Sequence, residues 1–232
     1  MIGLRPGRLH SGLASRKYTD MPAYRTGFTV QHGFSFANRF AFGLQLSGQV
    51  QLGRIEPGLC GGMAYAALDY YHAGIPISRR TEPPPQGSPL SHYLIQRQLA
   101  STNPSVLYRV LRWTLRGDAA LERRMLMHEL PILRQRLQRN EPTVLILVRA
   151  HDLAHITANH QVVALGYSED EAAASLVIHV YDPNWPGEPV RLSLELGEPS
   201  WGLEAWHSLE GAFKGLFLQQ YKPRRYGLPI TP

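Results

Sequence analysis

One residue in this chain combines nucleophilic chemistry with an unusual setting. Cys60 is the single cysteine among 232 residues, preceded by Pro57-Gly58-Leu59 and followed by Gly61-Gly62. A lone free cysteine is most often a small buried hydrophobe. Here small neighbours on both sides leave the thiol open to a substrate and also let other backbone approach it closely. The segment Gly61 to Ala73 (GGMAYAALDYYHA) carries apolar residues at Met63, Ala66, Ala67, Tyr70 and Tyr71, near the spacing of a buried helix face. Gly74 and Pro76 supply the stop. Cys60 therefore sits at, or just before, a helix N-terminus. Unpaired N–H groups and the helix dipole favour negative charge there. Such a site depresses a thiol pKa and makes a thiolate nucleophile, and the same N–H groups can hold a developing oxyanion.

A nucleophile needs a base, and ten histidines are available. Most, His207 among them, read as surface residues of helices or loops. His160 and His179 fall in strand-like runs. His179 lies inside its run and reads as structural. His160 follows Asn159 and opens the run QVVALGY, where an imidazole can stand at a sheet edge and still be fixed. The next apolar run, Leu176 to Tyr181, ends in Asp182-Pro183-Asn184-Trp185. If the two runs form a hairpin, antiparallel pairing brings Asp182 beside His160, 22 residues earlier, within ordinary strand lengths. An Asp there can hold the imidazole in the right tautomer. Asp-Pro is also a common turn opening.

The elements that must position these groups follow in order. Residues 1–27 read as a tail, and 28–232 as a single domain, with a helical half over about 34–140 and a sheet half over about 141–221. Phe28 to Gly43 is aromatic-rich and reads as short strands or a packed loop, and 44–58 as loop. Ser91 to Ala100 and Ser105 to Leu115 read as helices. Asp118 reads as the cap of a helix over Leu121 to Gln138, which Pro131 must kink or split. Thr143 to Val148 reads as a strand buried on both faces, and Val190 to Leu196 alternates like a strand with one wet face. Phe213 to Tyr221 reads as the last strand. Helices first and an antiparallel-looking sheet second predict an α+β fold.

The composition, 44% hydrophobic and 18% charged with a net charge of +6, fits a folded domain with a real core. One cysteine excludes an intramolecular disulfide and any multi-thiolate metal site. The positive charge is scattered, without a basic run, which argues against nucleic-acid binding. The Arg-rich stretch Glu122 to Arg139 reads as a helix packed through its leucines with arginines facing water. No apolar run is long enough for a secretory signal or a membrane span, so a cytoplasmic location is the default expectation, with export lacking a cleaved signal left open. His151, His155 and His160 lack a metalloprotease pattern, and neither a metal nor another cofactor is expected. The aromatics of Phe28 to Phe42 and of Trp201 to Trp206 read as core before partner surface. Oligomeric state is not legible.

Cys60 at a helix start, Asn159-His160 opening an apolar strand that ends in Gly166-Tyr167, and a polar residue after the next strand together resemble the papain-like cysteine peptidases. NHQVVALGY looks like that family's histidine strand, and YDPNWPG occupies the place of its Asn-containing turn before Trp and Gly, which makes Asn184 and Trp185 accessory candidates. Asp in this position is closer to bacterial relatives such as the bacteriocin leader peptidases, and GLCGGMAYAALDYYHAG is similar to the nucleophile segment of bacterial papain-like proteins. The resemblance covers about residues 34–221. It implies a helical half bearing Cys60, a sheet half bearing His160 and Asp182, and a cleft between them. It also implies thiol acyl chemistry on a peptide or protein substrate through a Cys60-His160-Asp182 triad. Hydrolysis, deamidation and transamidation would all use the same pair. The chain departs from the family at the oxyanion glutamine, where Arg54 stands. Gln51 and Asn38 are the candidate amides in its place. A papain-like binding module that does not turn over is the alternative reading.

Overall fold

The computed structural model describes residues 23–40, 58–172, 174–196 and 204–230. Gln51, Arg54 and Trp201 lie outside them. Helix α1 (Cys60–Ala73) is buried without a break from Gly61 to Tyr70, so burial runs right round the helix and not along one face. Gly74 ends it at φ 67°, the left-handed conformation that glycine takes without a Cβ clash. Helix α2 (Pro89–Ser101) starts at Ser88, whose side chain accepts the Ser91 N–H, and α3 (Pro104–Thr114) starts at Asn103, which caps Ser105 and Val106. Both carry proline in the first turn, where a missing N–H costs nothing. The two helices α1 and α2 touch closely because Gly62 has no side chain. A Cβ there would lie 2.3 Å from the Leu94 carbonyl oxygen.

The next helical stretch is interrupted, as Pro131 demands. Helix α4 (Asp118–Arg124) passes into a π-helical turn over Met125–Glu129, and α5 (Leu130–Gln138) resumes with Pro131 in its first turn. A proline removes one intrahelical bond and crowds the carbonyl of the turn before it, and the wider turn relieves that conflict. Asp118 is the first helical residue and not the cap, which is Gly117.

The sheet is antiparallel throughout, built from β2 (Thr143–Val148), β3 (His160–Asp170), β4 (Ser175–Tyr181), β5 (Val190–Glu195), β6 (Glu204–His207), β7 (Gly211–Ala212) and β8 (Gly215–Leu218). The strands lie in the order β7-β6-β5-β4-β3-β2-β8. The expected final strand over 213–221 is thus only its middle. A short β1 (Tyr24–Arg25), within the stretch read as a tail, pairs with β3 at Tyr167 and Gly166. The Thr26 hydroxyl donates to the Leu165 carbonyl at 3.0 Å and the Gly27 N–H to Asn140 Oδ1 at 2.6 Å. Phe28, Phe34, Phe36 and Phe40 are buried around a single 3-10 turn (Val30–His32), a packed loop and not strands.

Alternation along β2 shows why that strand is apolar throughout. Val144 packs with α1 and α2, Ile146 and Val148 with α3, and Leu145 and Leu147 with α5 and the π turn. Helices cover both faces, so the observed class is mixed helix and antiparallel sheet, as expected for α+β. Among the described residues no helix is long and apolar enough to cross a membrane.

The contact at Gly62 generates a stability prediction. Gly62→Ala forces α1 and α2 apart and should lower the unfolding free energy by about 1–3 kcal/mol. Urea denaturation measures this. A loss below about 0.5 kcal/mol would show that the two helices separate freely.

Candidate active site

The strand directions gather polar residues at one end of the sheet. β2 ends there, β3 begins, β4 ends, β5 begins and β6 ends. This end therefore collects Arg149, His160, Asp182 and His207 from separate strands. Asn159 closes the β2–β3 connection by accepting the N–H groups of Arg149 (2.8 Å) and Ala150 (3.1 Å). That fixes the chain immediately before His160, whose register partner is Leu147. Val163 pairs with Tyr181, so one further step places Asp182 opposite Val162 and diagonal to His160 on the same side of the pleat. His160 Nε2 lies 2.7 Å from Asp182 Oδ1, both residues being buried.

Cys60 is the first residue of α1 and half-buried. It lines a cleft of about 660 Å3 between the helices and this end of the sheet, together with Asn38, Gln98, His160, Gln161 and Asn184. The apolar wall comes from Val106, Leu107 and Val110 of α3, with Ile146 and Ile156. With Nε2 of His160 occupied by Asp182, Nδ1 is the nitrogen left for the thiol.

Electrostatics at the site follow from three charges, two of them on buried side chains. Burial raises the Cys60 pKa, but a hydrogen bond with His160, its positive charge and the Gln161 backbone N–H outweigh that, and the thiol falls below its ordinary value. Burial lowers the His160 pKa, yet the charge and hydrogen bond of Asp182, with the thiolate added, push it up to about 10. Burial raises the Asp182 pKa, but His160, a hydrogen bond from His207 and the Asn184 N–H hold it well below the usual carboxylate range. The favoured state is a thiolate–imidazolium pair beside an ionised Asp182.

The glycines beside Cys60 serve close packing and not open space. A Cβ on Gly61 would sit 1.6 Å from Gln161 Oε1 and 2.2 Å from Ser101 Oγ, and one on Gly58 would lie 2.7 Å from Asn38 Nδ2. Asn38 is brought into the site: its Oδ1 accepts the Leu59 N–H at 2.6 Å, and its Nδ2 donates to Asn184 Oδ1 at 3.0 Å. One amide hydrogen of Asn38 remains for another acceptor. Gln51, the other amide singled out in the sequence, lies outside the described residues. Asn184 and Trp185 both donate to Glu210 Oε1, at 3.0 and 2.8 Å, and Glu210 forms an ion pair with Arg149. These two residues thus brace the turn after Asp182.

Comparison with known protein families, curated proteins and solved structures found no match for this chain.

Several site residues escape a sequence reading. His207, expected at the surface of a helix or loop, is fully buried, with Nε2 2.9 Å from Asp182 Oδ2. The signal for it is alternation along β6: Ala205 is buried, Trp206 exposed and His207 buried. Gln98 reaches the site from α2 and accepts the Gly62 N–H at 2.8 Å. Glu210 and Arg149 had no motif to mark them. Asp182, His207 and Glu210 offer ligand atoms within 4.8 Å of one another, the spacing of a metal set. Each of these atoms already has a protein partner. The two Asp182 oxygens serve His160 and His207, His207 Nδ1 accepts the N–H groups of Leu209 and Glu210, and Glu210 serves Asn184, Trp185 and Arg149. The donor set is that of a hydrogen-bond network. His151 and His155 are exposed, and His155 pairs with Asp152 at 2.8 Å.

The coupled pair generates a pH prediction. The His160 contribution to stability is complete below 6.5 and is lost as pH rises through about 10. The Cys60 contribution is complete above 9.0 and is lost as pH falls through the depressed value. From the depressed Cys60 value, provided the pH is also above 6.5, up to 9.0 the two slopes cancel, since folded and unfolded chains each keep one proton on the pair. The unfolding free energy of the wild type minus that of a Cys60→Ser/His160→Gln variant should be flat as pH approaches 9.0 and fall as pH rises from 9.0 through about 10. A difference that slopes steadily up to and beyond 9.0 would contradict the ion pair.

Proposed function

We propose that this protein is a cysteine peptidase, or a related thiol acyl-transfer enzyme, of the papain-like kind, acting on peptide or amide bonds. The observation that carries the reading is Cys60 at the start of a helix, in one cleft with an imidazole whose far nitrogen is held by a buried carboxylate 2.7 Å away. That is the nucleophile–base–orienter arrangement in spatial form.

In this mechanism the Cys60 thiolate attacks the carbonyl carbon of the substrate, and the carbonyl oxygen takes up the negative charge. The Cys60 backbone N–H, which has no helical acceptor in the first turn, and the remaining amide hydrogen of Asn38 are the donors at hand for it. The imidazolium of His160 gives its Nδ1 proton to the leaving amine as the C–N bond breaks, which leaves a thioester on Cys60. His160, now neutral, then takes a proton from water or another acceptor as it attacks the thioester. The free acyl product departs and Cys60 returns to the thiolate. Asp182 keeps Nε2 protonated throughout and stabilises the positive imidazole.

Incubation with a diverse peptide library, read by mass spectrometry, tests this. Wild type should cleave a subset of the library and Cys60→Ser none of it, while Asn38→Ala should lower kcat by about 10²–10³-fold with little change in KM. Equal conversion by wild type and Cys60→Ser, or no cleavage, deamidation or transamidation by either, would sink the assignment. Reactivity gives an independent check. At pH 6 iodoacetamide should alkylate Cys60 faster than an unperturbed thiol, since the depressed pKa raises the thiolate fraction at that pH.

A further inference from the structure

The described site leaves one buried histidine without a part in the reaction. His207 ends β6, two strands away from β4, and reaches over β5 to the outer oxygen of Asp182. Both its nitrogens are committed. Nδ1 accepts the backbone N–H groups of Leu209 at 3.2 Å and Glu210 at 3.1 Å, so the ring proton must lie on Nε2. Nε2 therefore can only donate, and its acceptor is Asp182 Oδ2 at 2.9 Å.

The local chain explains why this geometry is rigid. Residues 207–211 form the β6–β7 turn, with Gly211 at φ 86° and His207 paired with it across the hairpin. The turn aims two N–H groups back at the imidazole that begins it. The same Glu210 whose N–H holds His207 uses its carboxylate to accept from Asn184 and Trp185 and to pair with Arg149. One turn thus fixes both His207 and the segment after Asp182.

We propose that His207 is a positioning residue for the Cys60–His160 pair: its backbone-locked Nε2–H clamps Asp182 Oδ2, so that the carboxylate presents Oδ1 to His160 in one orientation. This rests on the reading of Cys60 and His160 as the reacting pair. A carboxylate fully removed from water needs donors on both oxygens. Oδ1 has His160 and the Asn184 N–H, and His207 supplies Oδ2. Without His207 the carboxylate is free to turn about its Cβ–Cγ bond or to take a proton, and either change weakens its hold on His160. The other charged groups at this end of the sheet, Arg149 and Glu210, are paired with each other and stay in place in the variants below.

The test is the rate of Cys60 alkylation by iodoacetamide against pH, in full-length wild type, His207→Leu and His207→Gln, with near-ultraviolet circular dichroism as the folding control. Wild type should react at pH 6. His207→Leu should lose at least about tenfold in rate at pH 6 and regain it near pH 9, where an ordinary thiol ionises. His207→Gln should retain the wild-type profile, because its amide N–H can serve Asp182 while its carbonyl accepts from the turn. A folded His207→Leu protein with the wild-type profile overturns the proposal. So does a folded His207→Gln protein that behaves like the leucine variant. A wild-type protein with an ordinary thiol profile overturns instead the reading of Cys60 and His160 as an ion pair. Should the leucine variant not fold, imidazole 15N shifts of the wild type at pH 7 decide. A bare Nδ1 and protonated Nε2 at His207, with an Nε2 proton shifted downfield by Asp182, support the clamp. A protonated Nδ1 overturns it.

Discussion

The hydrogen bonds of Asp182 are the constraint on which this end of the molecule depends. A fully buried carboxylate that stays ionised must have its charge met by donors, because the cost of desolvating it is otherwise prohibitive. His160, His207 and the Asn184 N–H meet it together, and no two of them come from one element. The strand order follows from this requirement as much as it produces it. β3, β4 and β6 must end or begin at the same edge of the sheet, and antiparallel meandering is the topology that brings them there.

A second buried carboxylate ties the helical half to the other end of the chain. Asp69 of α1 accepts from Tyr93 (2.9 Å), from Tyr221 (2.8 Å) and from the Arg224 N–H (2.7 Å), and forms an ion pair with Arg97 at 2.6 Å. The segment after β8 is thereby strapped across α1 and α2, helped by Tyr65 and Tyr70, which donate to the carbonyls of Gln220 and Pro229. The consequence for the site is mechanical. α1, which carries Cys60, is held against α2 by Gly62 and against the returning C-terminal segment by Asp69, while Gln161 packs onto Gly61 from β3. The thiol is placed relative to His160 by three contacts that involve neither residue.

Much of the fold was legible because it rests on local pattern. β2 was readable to the residue from its unbroken apolar run, and α1 from its alanines and its glycine stop, while α2 and α3 were legible as helices but start one or two residues earlier than read, at Pro89 and Pro104. The reading failed where distant parts of the chain decide. Tyr24–Arg25 forms a strand only because β2 leaves the edge of β3 free beyond Ala164. The glycines around Cys60 promised close approach without saying of what, and only the fold shows that Asn38, Gln161, Ser101 and the α2 backbone fill the space they leave, while the thiol still lines the cleft.

The candidate site divides in the same way. The sequence by itself determined that one cysteine stands at a helix start, that His160 opens a strand, and that Asp182 ends the next. Helix and strand periodicity and hairpin spacing are short-range properties, so those residues could be named from neighbours alone. Tertiary structure decided everything that makes the carboxylate usable. His207 is 25 residues from Asp182, Asn38 lies 146 residues from Asn184, and the Glu210 carboxylate meets Asn184 and Trp185 across the β4–β6 span. Such contacts carry no periodic signature. They exist because a buried charge must find donors wherever the folded chain happens to bring them.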